Sequence, residues 1–190
     1  MRKLILSLAL LATSSLVSLS AQGLCEATNT VANAASSGFD ALKGKYSSTD
    51  YTGQWVANVK LPGAKSCVID ENSGMYIATM ASGVSREQAF AMVTKFTKEM
   101  NCMSSWNTWK YDNEGESIFQ IFYSEKAENI GADGGNYGGW GAGYTPKWNN
   151  NTRDYNSYDK VAMGKTVLYD IRKIDGAGKW EVRLLIYEAK

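Results

Sequence analysis

The sequence predicts an α+β fold: an antiparallel sheet of about seven strands with two helices on one face. Three observations carry that reading. Short runs of alternating apolar and polar residues are separated by compact turn sequences, which joins neighbouring strands in antiparallel fashion. One mid-chain segment has a capped start and an apolar stripe at helical spacing. The last residues before the C-terminus fold onto each other with matched apolar and charged faces, as a hairpin requires.

Residues 1–23 read as a secretory signal peptide rather than as part of the fold. Arg2 and Lys3 form a positive start, Leu4 to Leu11 begin an apolar stretch, and Ser20, Ala21 and Gly23 are small. Ser7, Thr13, Ser14, Ser15 and Ser18 interrupt the apolar run, against the alternative of a membrane anchor. Leu24 before Cys25 argues against a lipidated cysteine, which wants a small residue in front of it. The expectation is a soluble, exported protein, periplasmic or extracellular, with no integral membrane segment after cleavage. Residues 24–190 then form a single domain, with 126–160 as a long loop insertion.

Along that domain, Glu26 to Lys45 places Val31, Ala34, Ala35, Phe39 and Leu42 at helical spacing and predicts the first helix. Trp55, Ala57, Val59 and Leu61 alternate as one face of a strand, and Pro62-Gly63 supplies a turn. Strands follow around Ser66–Glu71 and Met75–Ala81. Ser85 and Gln88 form a capping box at the head of the second helix, whose stripe is Ala89, Met92, Val93, Phe96, Met100 and Met103. A hairpin pairs Trp106–Tyr111 with Glu116–Tyr123, and the second of these strands is apolar on both faces. In the C-terminal hairpin, the loop Asp175–Gly178 sets Ile174 opposite Lys179. Counting outward pairs Ile171 with Val182, Tyr169 with Leu184 and Val167 with Ile186.

The same register places Asp170 against Arg183 and Arg172 against Glu181. The expected role is a solvated cross-strand ion-pair cluster, with an acid/base or carboxylate-binding site as the sharper alternative. Of the three cysteines, Cys67 and Cys102 are the expected disulfide. Closing the loop between them would contribute roughly 3–4 kcal/mol in the chain-entropy model.

Composition narrows the function. The precursor holds 20 basic and 19 acidic residues, so no electrostatic case exists for nucleic acid as partner. With no histidine, no Ser-His or Cys-His catalytic pair and no His-ligated metal can form. No Walker loop, Rossmann glycine motif, nucleophile elbow or calcium loop occurs, so neither a cofactor nor a metal is expected. The unusual segment is 131–158, with seven Gly, five Asn and six aromatic residues. Tyr137, Trp140, Tyr144, Trp148 and Tyr155 are the candidate partner-binding residues, because flat rings on a permissive polar backbone suit recognition. The expected function is an exported, non-catalytic binding protein, inhibitor- or immunity-like, with a protein or glycan partner. A small carboxylate-dependent hydrolase and a structural envelope component are the alternatives.

Overall fold

The computed structural model describes residues 23–47, 53–113, 117–129, 160–174, 176 and 178–189. The element order is α1 (Leu24–Asn33), β1 (Lys43–Ser47), β2 (Gln54–Ala57), β3 (Ser66–Asp70), β4 (Met75–Val84), α2 (Arg86–Glu99), β5 (Asn107–Asn113), β6 (Ile118–Asn129), β7 (Lys160–Lys173) and β8 (Trp180–Ala189). The strands form one eight-stranded antiparallel sheet in the order β1-β2-β3-β4-β8-β7-β6-β5. The α+β class and the placement of both helices on one face follow the expectation, with β1 as the additional strand.

That strand belongs to a segment expected to be helical. Helix α1 ends at Asn33, not near Lys45; a 3-10 turn over Ala35–Ser37 follows, and the chain then turns left-handed at Gly38 and Phe39, with φ of 64° and 60°. A left-handed conformation costs a non-glycine residue about 1–2 kcal/mol. Phe39 is fully buried and its ring lies 6.1 Å from that of Tyr76, so its burial offsets that cost. The chain thus reverses into β1, which pairs with β2.

Helix α2 begins as the sequence indicates. The Ser85 hydroxyl accepts from the Gln88 amide at 3.2 Å, and the Gln88 side chain accepts from the Ser85 amide at 3.0 Å. The helix carries the chain from β4 to β5 at the far edge of the sheet. Its stripe packs on the sheet through Ala89 and Phe96, continued by Met100 and Met103, all buried. Phe96 stacks on Tyr169 at 3.9 Å between ring centroids and meets Tyr123 edge-on at 5.8 Å.

The two helices meet at a disulfide between Cys25 of α1 and Cys102 in the short turn after α2. This corrects the expected Cys67–Cys102 pair. Cys67 is a buried free thiol on β3, facing the same core as Tyr76. Cys25 is not at a frayed end: it is 5% exposed, and its Cα lies 5.9 Å from that of Cys102. A sequence separation of 77 makes the link worth roughly 4 kcal/mol in the chain-entropy model. A sulfur committed to Cys102 is also unavailable for a thioether lipid.

The C-terminal hairpin has the register expected from its sequence. Ile171 faces Val182, Tyr169 faces Leu184 and Val167 faces Ile186, all turned toward the helices. The Ile174 amide donates to the Lys179 carbonyl at 2.9 Å, closing the loop where the count began. Leu168 and Leu185 pair on the opposite face with Phe122 of β6, and all three are buried there. The strand β6 is accordingly apolar on both faces, as Ile121, Phe122 and Tyr123 show.

Candidate functional site

The charged cluster on β7 and β8 is assembled as the register demands, but it is not uniformly solvated. The Asp170 side chain is 3% exposed and that of Arg183 is 16% exposed. Arg183 binds Asp170 through both Nε, at 3.1 Å, and Nη2. The Gln120 amide on β6 donates to the other Asp170 oxygen at 2.8 Å. Arg172 and Glu181 form a looser, more exposed pair at 3.6 Å. Half of the expected surface ladder is therefore a row of buried Gln120 and Asp170 with a half-buried Arg183. The reason is that β6 and its apolar side chains flank Asp170 on one side while β8 flanks it on the other. Gln120 Oε1 is buried without a hydrogen-bond partner, the polar atom left over when the amide nitrogen turns to the carboxylate.

A cavity of about 390 Å³ lies at one end of the sheet, between the start of α2 and the ends of β5, β6, β7 and β8. Phe90 and Trp180 form an aromatic wall, with ring centroids 5.8 Å apart and nearly perpendicular planes. Phe119 supports Phe90 from behind at 5.3 Å. The Arg86 guanidinium lies 4.7 Å over the Phe90 ring. Asp112, Ile118, Lys173 and Gly178 also line the cavity. Ser117 also lines the cavity and has a left-handed φ of 54°, while its carbonyl accepts from the Lys173 amide at 3.1 Å. Backbone in that region costs a serine about 1–2 kcal/mol.

Glu87 sits in the first turn of α2, next to the cavity-lining Arg86. The amide of Glu87 and the Ser85 hydroxyl hold the Glu87 carboxyl below its ordinary range, with Arg86 contributing through its charge. Among the described residues, neither Arg86 nor Lys173 is engaged in an ion pair.

At the other end of the β6–β7 ladder, Asn129 pairs with Lys160. The expected loop of 126–160 is thus shorter at both ends, since residues 126–129 and Lys160 continue the ladder. A β-bulge precedes these last pairs. Gly164 takes a φ of 72°, and the register steps from Ser124↔Thr166 to Lys126↔Met163. Ser124 Oγ lies 2.7 Å from the Lys126 carbonyl oxygen, 2.9 Å from that of Met163 and 3.0 Å from Thr166 Oγ1, stitching the bulge together. The candidate binding residues Tyr137, Trp140, Tyr144, Trp148 and Tyr155 lie outside the described residues.

The chain matches no protein-family model, no curated protein and no solved structure. Among the described residues no group of three or more His, Cys, Asp or Glu side chains could hold a metal ion. Among those residues no helix is long and apolar enough to cross a membrane.

Of the cavity residues only Asp112, an acid at a hairpin tip, stands out in the sequence. Arg86, Asp112, Ile118, Lys173 and Trp180 come from five separate elements, and no local spacing links them. Gly164 did carry a signal: a glycine inside an apolar strand pattern marks a bulge.

Proposed function

We propose that the protein is an exported, non-catalytic binding protein that recognises a protein or glycan partner through residues 131–158. The observation that carries this reading is the Asn129–Lys160 pair. It brings the two ends of the Gly- and aromatic-rich segment together on adjacent strands that run back into the centre of the sheet. A rigid ladder presenting an aromatic and amide-rich sequence is the division of labour that recognition loops use. Export is supported by the three-part layout of residues 1–23 and by the Cys25–Cys102 link, which an oxidising compartment maintains.

The test compares full-length protein with a variant in which residues 136–156 are replaced by a short Gly-Ser linker. Both serve as bait in a native extracytoplasmic fraction, with circular dichroism and thermal unfolding recorded beside the capture. The expected outcome is a partner held by the full chain and lost by the variant, with the fold unchanged. Turnover of a glycan or peptide library by the full chain, with no partner captured, would reverse the reading in favour of a hydrolase.

A further inference from the structure

An exported chain loses its signal peptide, and the start of α1 decides where the cut falls. Helix α1 is entered through Gly23, whose backbone is extended, with φ of −62° and ψ of 155°. The Ala27 amide donates to the Gly23 carbonyl at 3.1 Å, the first hydrogen bond of the helix. Ala27 is fully buried, so its amide is closed to water and depends on that acceptor. The residues around it hold α1 in place. Cys25 is linked to Cys102, the Thr28 hydroxyl donates to the Leu24 carbonyl at 2.7 Å, and Leu24 packs against the core. The helix therefore cannot slide along to another acceptor.

A cut after Gly23, the last residue of the signal peptide expected from the sequence, would remove the acceptor and strand a buried amide. It would also put a charged α-amine on Leu24, which is partly buried and stands at the positive end of the helix dipole. A cut after Ala21 keeps Gly23 and still follows a small residue, as signal peptide cleavage requires. The new first residue is then Gln22, which lies outside the described residues. A terminal glutamine carries its own electrophile, because its α-amino nitrogen reaches the side-chain Cδ across a five-membered ring. We propose, on the export reading above, that the chain is cut between Ala21 and Gln22 and that Gln22 then closes to a terminal pyroglutamate. The new C–N bond forms as the Cδ–Nε2 bond breaks, and ammonia leaves with the proton shed by the amine. No other reactant is consumed. The chain is open at this point: Gly23 is exposed, and a Cβ placed on it meets no atom beyond its chain neighbours within 4 Å. The lactam has no α-amine, so the charge that would oppose the helix dipole is removed. Aminopeptidases need that amine, so the closed ring also guards the Gly23 cap against trimming.

The experiment expresses the full precursor in a secreting host and recovers the protein from the extracytoplasmic fraction without reductant. Intact mass and N-terminal sequence are read after prolonged incubation at neutral pH. The expected mass is that of residues 22–190 with one disulfide, less one ammonia. Edman degradation is expected to read nothing until pyroglutamyl peptidase removes the ring, and then to begin at Gly23. Gln22→Ala should give a chain with a free amine, which an added aminopeptidase shortens while the wild type stays whole. An exported chain that begins at Ala21 or Leu24 overturns the proposal, and so does a Gln22 amine that stays open to Edman degradation. Those results leave the export reading standing, whereas an uncut precursor held in the cytoplasm overturns both.

Discussion

Across β6, β7 and β8 the sheet is buried on both faces, with different chemistry on each. The helix-covered face is an unbroken apolar field running from Ile69 and Tyr76 across Val182, Leu184 and Ile186 to Ile121. The opposite face is banded. A row of Phe122, Leu168 and Leu185 is flanked by the Gln120–Asp170–Arg183 row on one side and by Ser124 and Thr166 on the other. The difference teaches how register is secured. A slip of two residues keeps every apolar side chain on its own face, so an apolar field alone opposes it weakly. The same slip would part Asp170 from both Arg183 and Gln120 and leave a buried carboxylate unpaired, which is far more costly.

The sharpest way to break this comparison is on the helix-covered face. Phe96→Ala removes the ring stacked on Tyr169 and should cost about 4 kcal/mol by denaturant unfolding, because little can collapse into the space. A loss under about 1 kcal/mol would mean that this face is loosely packed.

On the banded face, Asp170→Ala should cost about 3 kcal/mol, less than a fully orphaned pair because Glu181 lies 3.6 Å from the Arg183 Nε. Replacing Asp170 and Arg183 together by Leu and Met should recover most of that loss, since both charges then leave the interior. If the double variant is the worse of the two, packing rather than charge governs the band.

The smallest effect is at the edge of the covered face. Ser85→Ala removes the cap of α2 and should lower stability by about 1 kcal/mol. It also removes one of the groups that depress the Glu87 carboxyl. A depressed carboxylate stabilises the fold above its ordinary range, and that stabilisation is lost as pH falls through the lower folded value. In the variant the folded value moves up toward the ordinary one, so the contribution is smaller and its loss is complete at higher pH. A side-chain carboxyl titration of Glu87 by NMR reads this shift directly, and no movement would show that Ser85 does not contact it.

Local features were legible and distant ones were not. The β7–β8 register followed from a four-residue loop and a period of two, because strands joined that tightly have few other pairings open to them. The α2 cap was legible for the same reason, since Ser85 and Gln88 are three residues apart. The N-terminal segment misled because its helical spacing through Phe39 and Leu42 is real. What reverses the chain after α1 is the left-handed pair Gly38 and Phe39, with Phe39 buried against Tyr76, far along the chain. The ion-pair cluster was half legible: the partners were evident, but its burial needed Gln120 from β6.

By itself the sequence determined the fold class, the position of α2, the hairpin register and the pairing of Asp170 with Arg183, all of which depend on periodicity or on residues joined by short loops. Only the tertiary structure decided that Cys25 and not Cys67 meets Cys102, and that Arg86, Lys173 and Trp180 share one cavity. Those outcomes depend on where α1 lies against the end of α2 and on how α2 crosses the sheet. Such placements are set by the packing of whole faces, and no spacing along the chain encodes the distance between them.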